Sequence, residues 1–224
     1  EPKDWDITTN ALPEEIQALF PDSFYENIFG TVGVKVPRFQ AATPEEHEYD
    51  IIEVTTYRSE SDYTDGRHPK IVTFEKALAA DLSRRDFTIN ALAYGKQDND
   101  WQLVDLFDGQ EDLANKVIRT VGDATERFTE DALRLMRAVR FATELRDPKN
   151  PDLFTNDWVI AKETADALVA LAPNLAKISA ERVRDELSKI ILSKSSAYGI
   201  QLLADTGLLP FVLPELGEGI NVTQ

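Results

Sequence analysis

The sequence predicts an α+β protein in which a small mixed or antiparallel sheet domain is followed by an all-helical domain. Three observations carry this. Up to Phe74 the chain alternates turns with short runs of β-branched and aromatic residues, the composition that favours strands. From Phe74 onward the apolar residues recur at helical steps. Between two of the expected helices, Asp147–Pro151 (DPKNP) is a Pro-containing loop. The domains expected are 1–110 and 111–224.

The elements follow in order. Asp4 and Asp6, in KDWDITT, stand at the front of a strand, and period-two alternation sends both carboxylates to one face. Pro13–Phe20 (PEEIQALF) has proline and acids ahead of apolar residues at helical spacing, which starts a helix. Gly30–Val36 (GTVGVKV), Tyr49–Tyr57 (YDIIEVTTY) and Ile71–Phe74 read as strands, and Pro37–Glu48 as a polar hairpin connection. A helix is expected over Phe74–Ala93, one more strand over Trp101–Leu106, and a turn at Gly109 within DLFDGQEDL. Further helices are expected over Phe128–Leu145, Asp157–Ala172 and Ser179–Leu192, with a short one over Ala197–Thr206.

A chain of 224 residues with 42% hydrophobic and 29% charged residues can bury one large core or two modest ones. The absence of cysteine excludes disulfides, thiolate nucleophiles and Cys-ligated zinc, and two histidines, His47 and His68, leave little for a His-based site. Any metal is therefore expected to be oxygen-bound. No apolar run approaches the roughly 18 residues that span a bilayer, so no membrane partner and a cytoplasmic location are expected. The opening EPKDWD reads neither as a signal peptide nor as a natural start, so further residues are expected upstream.

The net charge of -16 argues against a broad nucleic-acid face. Distribution matters more than the sum: of 13 arginines, 8 lie between Arg84 and Arg146. Such a local cationic cluster suits a triphosphate pocket better than a duplex.

Within it, Arg84–Leu92 (RRDFTINAL) sets a charged triplet and one Asn into an apolar pattern. Arginine donates a fixed fork to phosphate, Asp accepts from a hydroxyl and Asn does either, which suits a nucleoside triphosphate. A capped helix with its charges in water has the same pattern. Asp4 and Asp6 can hold one or two magnesium ions, or form a solvated acidic terminus. Glu53, on a β-branched run, is a third acid or part of an exposed strand face. In residues 126 to 142 (ERFTEDALRLMRAVRFA), Leu135, Met136, Val139 and Ala142 form a core stripe. On the neighbouring face stand Glu130, Asp131, Arg134, Arg137 and Phe141. These charges form either a salt-bridge ladder in water or a base-reading edge, with Asp131 as acceptor, Arg134 as donor and Glu130 holding Arg134.

KDWDITTNALPEEI, EVTTYRSESDYTDGRHPKIVTF, DLSRRDFTINALAY, DLFDGQEDL with IRTVG, and ERFTEDALRLMRAVRFA follow one another in this chain. In that order they resemble the bacterial-type, class II tRNA nucleotidyltransferases, the CCA-adding enzymes. Related poly(A) polymerases share much of the set. The resemblance is dense from residue 3 to about 145, and the helical remainder is less distinctive.

The resemblance implies a nucleotidyltransferase head domain followed by a helical neck and part of a body. It implies transfer of C and A from CTP and ATP to the 3′ end of tRNA with release of pyrophosphate, using Mg2+. An A-adding enzyme, a poly(A) polymerase and a non-catalytic nucleotide- or RNA-binding module are the alternatives. By the same resemblance Asp4 and Asp6 are the catalytic metal-binding pair, and Glu53 is the candidate third carboxylate. Arg85, Asp86 and Asn90, with Arg84 beside them, grip ribose and triphosphate. Asp105 and Gly109 lie in the motif that couples the domains, and Asp108 stands where many relatives have glycine. Glu130, Asp131 and Arg134 form the amino-acid template for cytosine or adenine, with Arg137 one turn further along. Ser59–Pro69 resembles a flexible loop that helps switch specificity from CTP to ATP. The family carries a Gly-Gly and Arg-Asp segment ahead of its paired aspartates, which this chain starts after, and the distal body and tail are expected to be incomplete.

Overall fold

The computed structural model describes residues 5–27, 29–37, 49–63, 69–97, 100–147 and 157–218. The chain packs as two compact units, Glu1–Asp62 with Lys70–Arg84 and Tyr63–Pro69 with Arg85–Gln224. The expected α+β class is what the structure has.

The first unit is a sheet unit. β1 (Asp6–Thr9), β2 (Ser23–Asn27), β3 (Thr31–Pro37) and β4 (Tyr49–Thr56) form a four-stranded sheet in the order β1-β4-β3-β2. β1 runs parallel to β4, while β3 is antiparallel to both β2 and β4. Helix α1 (Pro13–Leu19) connects β1 to β2. Its proline sits in the first turn, and Glu15 reaches back to accept the Leu12 N–H at 2.8 Å. Ile16 of α1 packs with Val32, Val34 and Val54 to form this unit's core. Thr56, also buried, donates its hydroxyl to the Ala11 carbonyl at 2.8 Å. Alternation along the strands therefore turns Glu53 and Asp6 to the opposite, open face.

The strand over residues 58–63 is one that composition missed. β5 (Arg58–Tyr63) and β6 (Pro69–Phe74) pair as a two-stranded sheet, so Ser59–Tyr63, expected as part of a loop, is strand. Residues 64–68 of that loop, 38–48 of the expected hairpin connection and Asp4 lie outside the described residues.

The expected helix over Phe74–Ala93 is three elements. α2 (Leu78–Ser83) stops at Arg84, a 3-10 turn covers Thr88–Asn90, and β7 (Leu92–Gln97) follows as an antiparallel partner of β8 (Asp100–Asp105). The helix fails because Phe87 is extended and bridges Thr120, with Thr88 N–H donating to the Arg119 carbonyl at 2.9 Å and Val121 N–H to that of Asp86 at 3.0 Å. Asp86 then caps the tight turn by accepting the Phe87 N–H at 2.9 Å.

Gly109 opens a helix, α3 (Gly109–Asn115), rather than only a turn. Asp105 sets it up by accepting the N–H groups of Phe107, Gly109 and Gln110. What burial Asp105 has would raise its pKa, but the hydrogen bonds from Gln110 and Gly109 outweigh it and hold the carboxyl below the usual aspartate range. Asp108 adopts a left-handed conformation at φ 58°. Glycine takes that conformation without steric cost, and aspartate only tolerates it. Asp108→Gly is therefore expected to stabilise the protein by about 0.5–1 kcal/mol, read as a higher urea midpoint at unchanged m.

After β9 (Val117–Ile118), the expected helix over Phe128–Leu145 is two helices, α4 (Ala124–Glu130) and α5 (Leu133–Glu144). Asp123 caps α4 by accepting the Glu126 N–H. Asp131 makes the break: its backbone is extended (φ -140°, ψ 104°), and its side chain accepts the Leu133 N–H at 3.0 Å, the start of the next helix. Short Asp competes with the helix for its own backbone, so an apolar period that ran through position 131 concealed a cap. β10 (Val159–Ile160) pairs with β9 in parallel, which delays the start of α6 (Lys162–Leu171) relative to the expected Asp157. α7 (Ala180–Leu192), α8 (Ser196–Asp205), α9 (Leu209–Val212) and α10 (Pro214–Glu218) complete the helical unit. Its core joins Phe87 and Ile89 to Phe128, Leu135, Met136, Val139 and Ala142, with Leu168, Leu175, Ile190 and Leu203 from the later elements.

Candidate functional site

The sheet unit presents an acid row. Asp6 of β1 and Glu53 of β4 are direct register partners, so their side chains leave the same face about 4.8 Å apart along the ladder. Both are exposed. Across the sheet Glu53 is registered with Gly33, over which the Phe24 ring lies so closely that a Cβ at position 33 would stand 2.6 Å from it. Two carboxylates on one face repel unless solvent or a cation intervenes, and hard oxygen donors are the set magnesium takes. Among the described residues no group of three or more His, Cys, Asp or Glu side chains converges.

Arg84 ends the same unit. Its Nη2 and Nε reach Asp81 Oδ1 at 2.7 and 3.1 Å, and its Nη1 reaches Glu60 Oε1 at 3.1 Å. Glu60 also accepts from Arg58 Nε at 2.8 Å, so one carboxylate joins two guanidiniums and staples β5 to α2. Burial, and next the Arg84 charge, push the Arg58 pKa down. Arg84 is thus held in the packing of the sheet unit, while Arg85 begins the helical one.

In the helical unit four of the sequence-selected residues meet. Asp86, only 9% exposed, accepts from Phe87 N–H and Asn90 Nδ2 on Oδ1, and from Arg137 Nε on Oδ2 at 2.6 Å. Arg85 Nη1 reaches the Asn90 carbonyl at 3.3 Å. The turn that carries Asn90 is held from below: Thr88 donates its hydroxyl to buried Asp112 at 2.7 Å, and Asp112 accepts Arg119 Nε.

At the α4–α5 break, Glu130 bridges the two helices, with Oε1 on Arg127 Nη2 and Oε2 on Arg134 Nη1, both at 2.7 Å. Arg134, 9% exposed, also donates to the Arg127 carbonyl at 3.0 Å. Asp131 turns to α7, where Arg182 Nη2 and Nη1 meet Oδ2 and Oδ1 at 2.8 and 3.3 Å. The charges are therefore cross-links between elements, not a solvated ladder along one helix. Arg182 and Arg127 were missed by sequence reasoning. Arg182 lies in ERVRDELSK, a polar stretch with no spacing that ties it to position 131, whereas Arg127 is three residues from Glu130 and was within reach of an i,i+3 search.

A sheet unit with an acid row, joined to a helical unit with a paired Asp-Asn turn and a broken charged helix, has counterparts among known proteins. The model described as "Poly A polymerase head domain" matches residues 1–119, and that described as "Probable RNA and SrmB- binding site of polymerase A" matches residues 159–219. The chain belongs to the poly(A) polymerase head-domain family. It is 43% identical over 216 residues to the CCA-adding enzyme of Geobacillus thermodenitrificans, an alignment that covers 96% of this chain and 47% of that protein. The crystal structure of the Bacillus stearothermophilus CCA-adding enzyme in complex with CTP superposes with a TM-score of 0.72 at 40% identity, covering 93% of this chain and 44% of that one. A tRNA nucleotidyltransferase complexed with a primer tRNA and an incoming ATP analog superposes with a TM-score of 0.68 at 25% identity, covering 94% and 54%. The chain spans about half the length of the curated relatives it matches.

Proposed function

We propose that this chain carries the nucleotide-transferring part of a CCA-adding tRNA nucleotidyltransferase, which takes C and A from CTP and ATP, adds them to the tRNA 3′ end without a nucleic-acid template and releases pyrophosphate. The observation that carries this reading is the α4–α5 break. There Asp131, an acceptor gripped by Arg182, stands three residues before Arg134, a donor gripped by Glu130. Cytosine and adenine share an exocyclic amino donor next to a ring-nitrogen acceptor, while uracil and guanine offer the reverse. A carboxylate next to a guanidinium therefore selects C and A together, because the wrong base leaves buried groups unpaired.

The remaining roles follow the chemistry of each group. Arg85, Asp86 and Asn90, with Arg84 next to them, serve the sugar and triphosphate; Glu130, Asp131, Arg134 and Arg137 serve the recognition of the nucleotide. Asp4, Asp6 and Glu53 are the catalytic carboxylates, and Asp4 with Asp6 would hold magnesium. When bound, Mg2+ lowers the pKa of the attacking 3′ hydroxyl and neutralises charge on the departing pyrophosphate. No protein nucleophile is needed, and the chain has no cysteine to offer one. We place the division into catalytic and recognition domains at 110/111, near the end of the head-domain match at residue 119, while the compact packing units divide earlier, at Arg84/Arg85. A cytoplasmic location goes with the tRNA substrate; among the described residues no helix is long and apolar enough to cross a membrane.

The complete protein is expected to add CTP to tRNA lacking its terminal CCA and ATP to tRNA ending in CC. Asp131→Ala should narrow the preference for CTP over UTP by roughly tenfold or more and leave triphosphate binding in place; an unchanged CTP-to-UTP ratio would refute the template. A-tailing of unrelated RNA would favour a poly(A) polymerase, the activity its head-domain family is described by. Nucleotide binding without transfer would make it a binding module.

A further inference from the structure

We propose that Arg137 is a positioning residue for sugar selection: by holding Asp86 it lets the site tell a ribonucleotide from a deoxyribonucleotide. The inference rests on the nucleotide-transfer reading above and reassigns one residue within it. Its position one turn beyond Arg134 puts Arg137 with the base-reading residues, but its Nε is spent on Asp86 Oδ2 at 2.6 Å, across 51 residues of sequence.

A carboxylate has about four acceptor sites. At Asp86 three are filled from within the protein, two on Oδ1 by Phe87 N–H and Asn90 Nδ2, and one on Oδ2 by Arg137. The place left for a hydroxyl donor is on the oxygen that Arg137 grips. Its guanidinium fixes the direction in which that oxygen faces.

Arg137 is itself held. Its guanidinium lies 5.2 Å from the centre of the Phe141 ring, and Phe141 meets Phe87, the neighbour of Asp86, edge to face at 5.7 Å. Arg140 lies 4.0 Å from the same Phe141 ring and is tied to Glu186 of α7. The residue that orients Asp86 is thus set by the packing of α5, while the base edge is set separately by Arg182 and Glu130.

The test compares the complete protein with R137A and R137K, using CTP, dCTP and UTP on tRNA lacking its terminal CCA. R137A is expected to narrow the kcat/KM ratio of CTP over dCTP roughly tenfold, the size of one charge-assisted hydrogen bond. The change should appear mainly in the KM for CTP, leave the CTP-to-UTP ratio unchanged and be partly restored in R137K. A loss of CTP-to-UTP preference at constant CTP-to-dCTP preference would place Arg137 on the base and overturn the proposal. A uniform loss for all three nucleotides, or no rescue by lysine in a folded variant, would reduce it to packing and overturn it as well. Should R137A not fold, R137M, which keeps the length of the side chain and loses the donor, takes its place and is read by the same two ratios. If the wild-type protein transfers nothing, the functional reading fails, and CTP against dCTP binding, measured by titration, still decides the role of Arg137.

Discussion

Gly109→Ala is expected to destabilise the protein by about 3 kcal/mol, the upper end of what overpacking a rigid site costs. A Cβ on Gly109 would stand 2.3 Å from the Thr88 carbonyl oxygen and 2.9 Å from its carbon. Backbone rather than a flexible side-chain end meets it, and that backbone cannot retreat. Thr88 is bonded through its N–H to Arg119, through its carbonyl to Ala91 N–H and through its hydroxyl to Asp112. Gly109 is in turn fixed by the 2.8 Å bond from its N–H to Asp105. The strain falls on the turn that positions Asn90 and Asp86, so nucleotide affinity should fall with stability. Gly95→Ala is the control: nothing lies within 4 Å of a Cβ there, and its urea midpoint should stay within about 0.5 kcal/mol of wild type. A Gly109→Ala midpoint equal to that of the control would show that the contact yields.

Arg140→Met should cost about 3–5 kcal/mol, the usual penalty for stripping one partner from a buried ion pair. Arg140 and Glu186 are 8% and 4% exposed and meet at 2.5 Å, with Glu144 on the other arm of the guanidinium. Burial by itself would lower the Arg140 pKa, but hydrogen bonds and charge from Glu186, then Glu144, raise it above its ordinary value. With Arg140 gone, Glu186 keeps Lys189 at 3.2 Å, a partner that is itself half exposed. The double variant Arg140→Met, Glu186→Leu should recover most of the loss, because a well-packed apolar pair often equals a buried salt bridge. If the double variant is no better than the single one in urea unfolding, the cost lies in the lost stacking on Phe141 and not in the stranded charge.

Patterns that act over a few residues were legible in the sequence. The Pro-Glu-Glu start of α1, the β-branched runs of β3 and β4, the helices α7 and α8 and the core stripe of Leu135, Met136, Val139 and Ala142 all depend on local propensity and period. The pairing of Glu130 with Arg134 is of the same kind, being four residues apart. What was not legible depends on partners far along the chain. RRDFTINAL read as a helix because its apolar period is helical, yet Phe87 is extended by a bridge to Thr120, 33 residues on. The break at Asp131 hid inside an unbroken apolar period because it is made by a polar side chain capping the next helix. Likewise Arg137 was placed by its helical step, whereas its partner, Asp86, is on another element.

The clamp that holds Asp86–Thr88 against residues 119–121 also sets an order of assembly. All of the sheet unit's residues precede Arg85. A chain made from its N-terminus can fold that unit while the Asp86–Asn90 turn still lacks residues 119–121, which bridge it, since Thr88 N–H donates to the Arg119 carbonyl and Val121 N–H to that of Asp86. Arg137 and Arg182 emerge later still. During synthesis Asp6 and Glu53 can therefore stand on their folded sheet before the hydrogen bonds around Asp86 and Asp131 have formed.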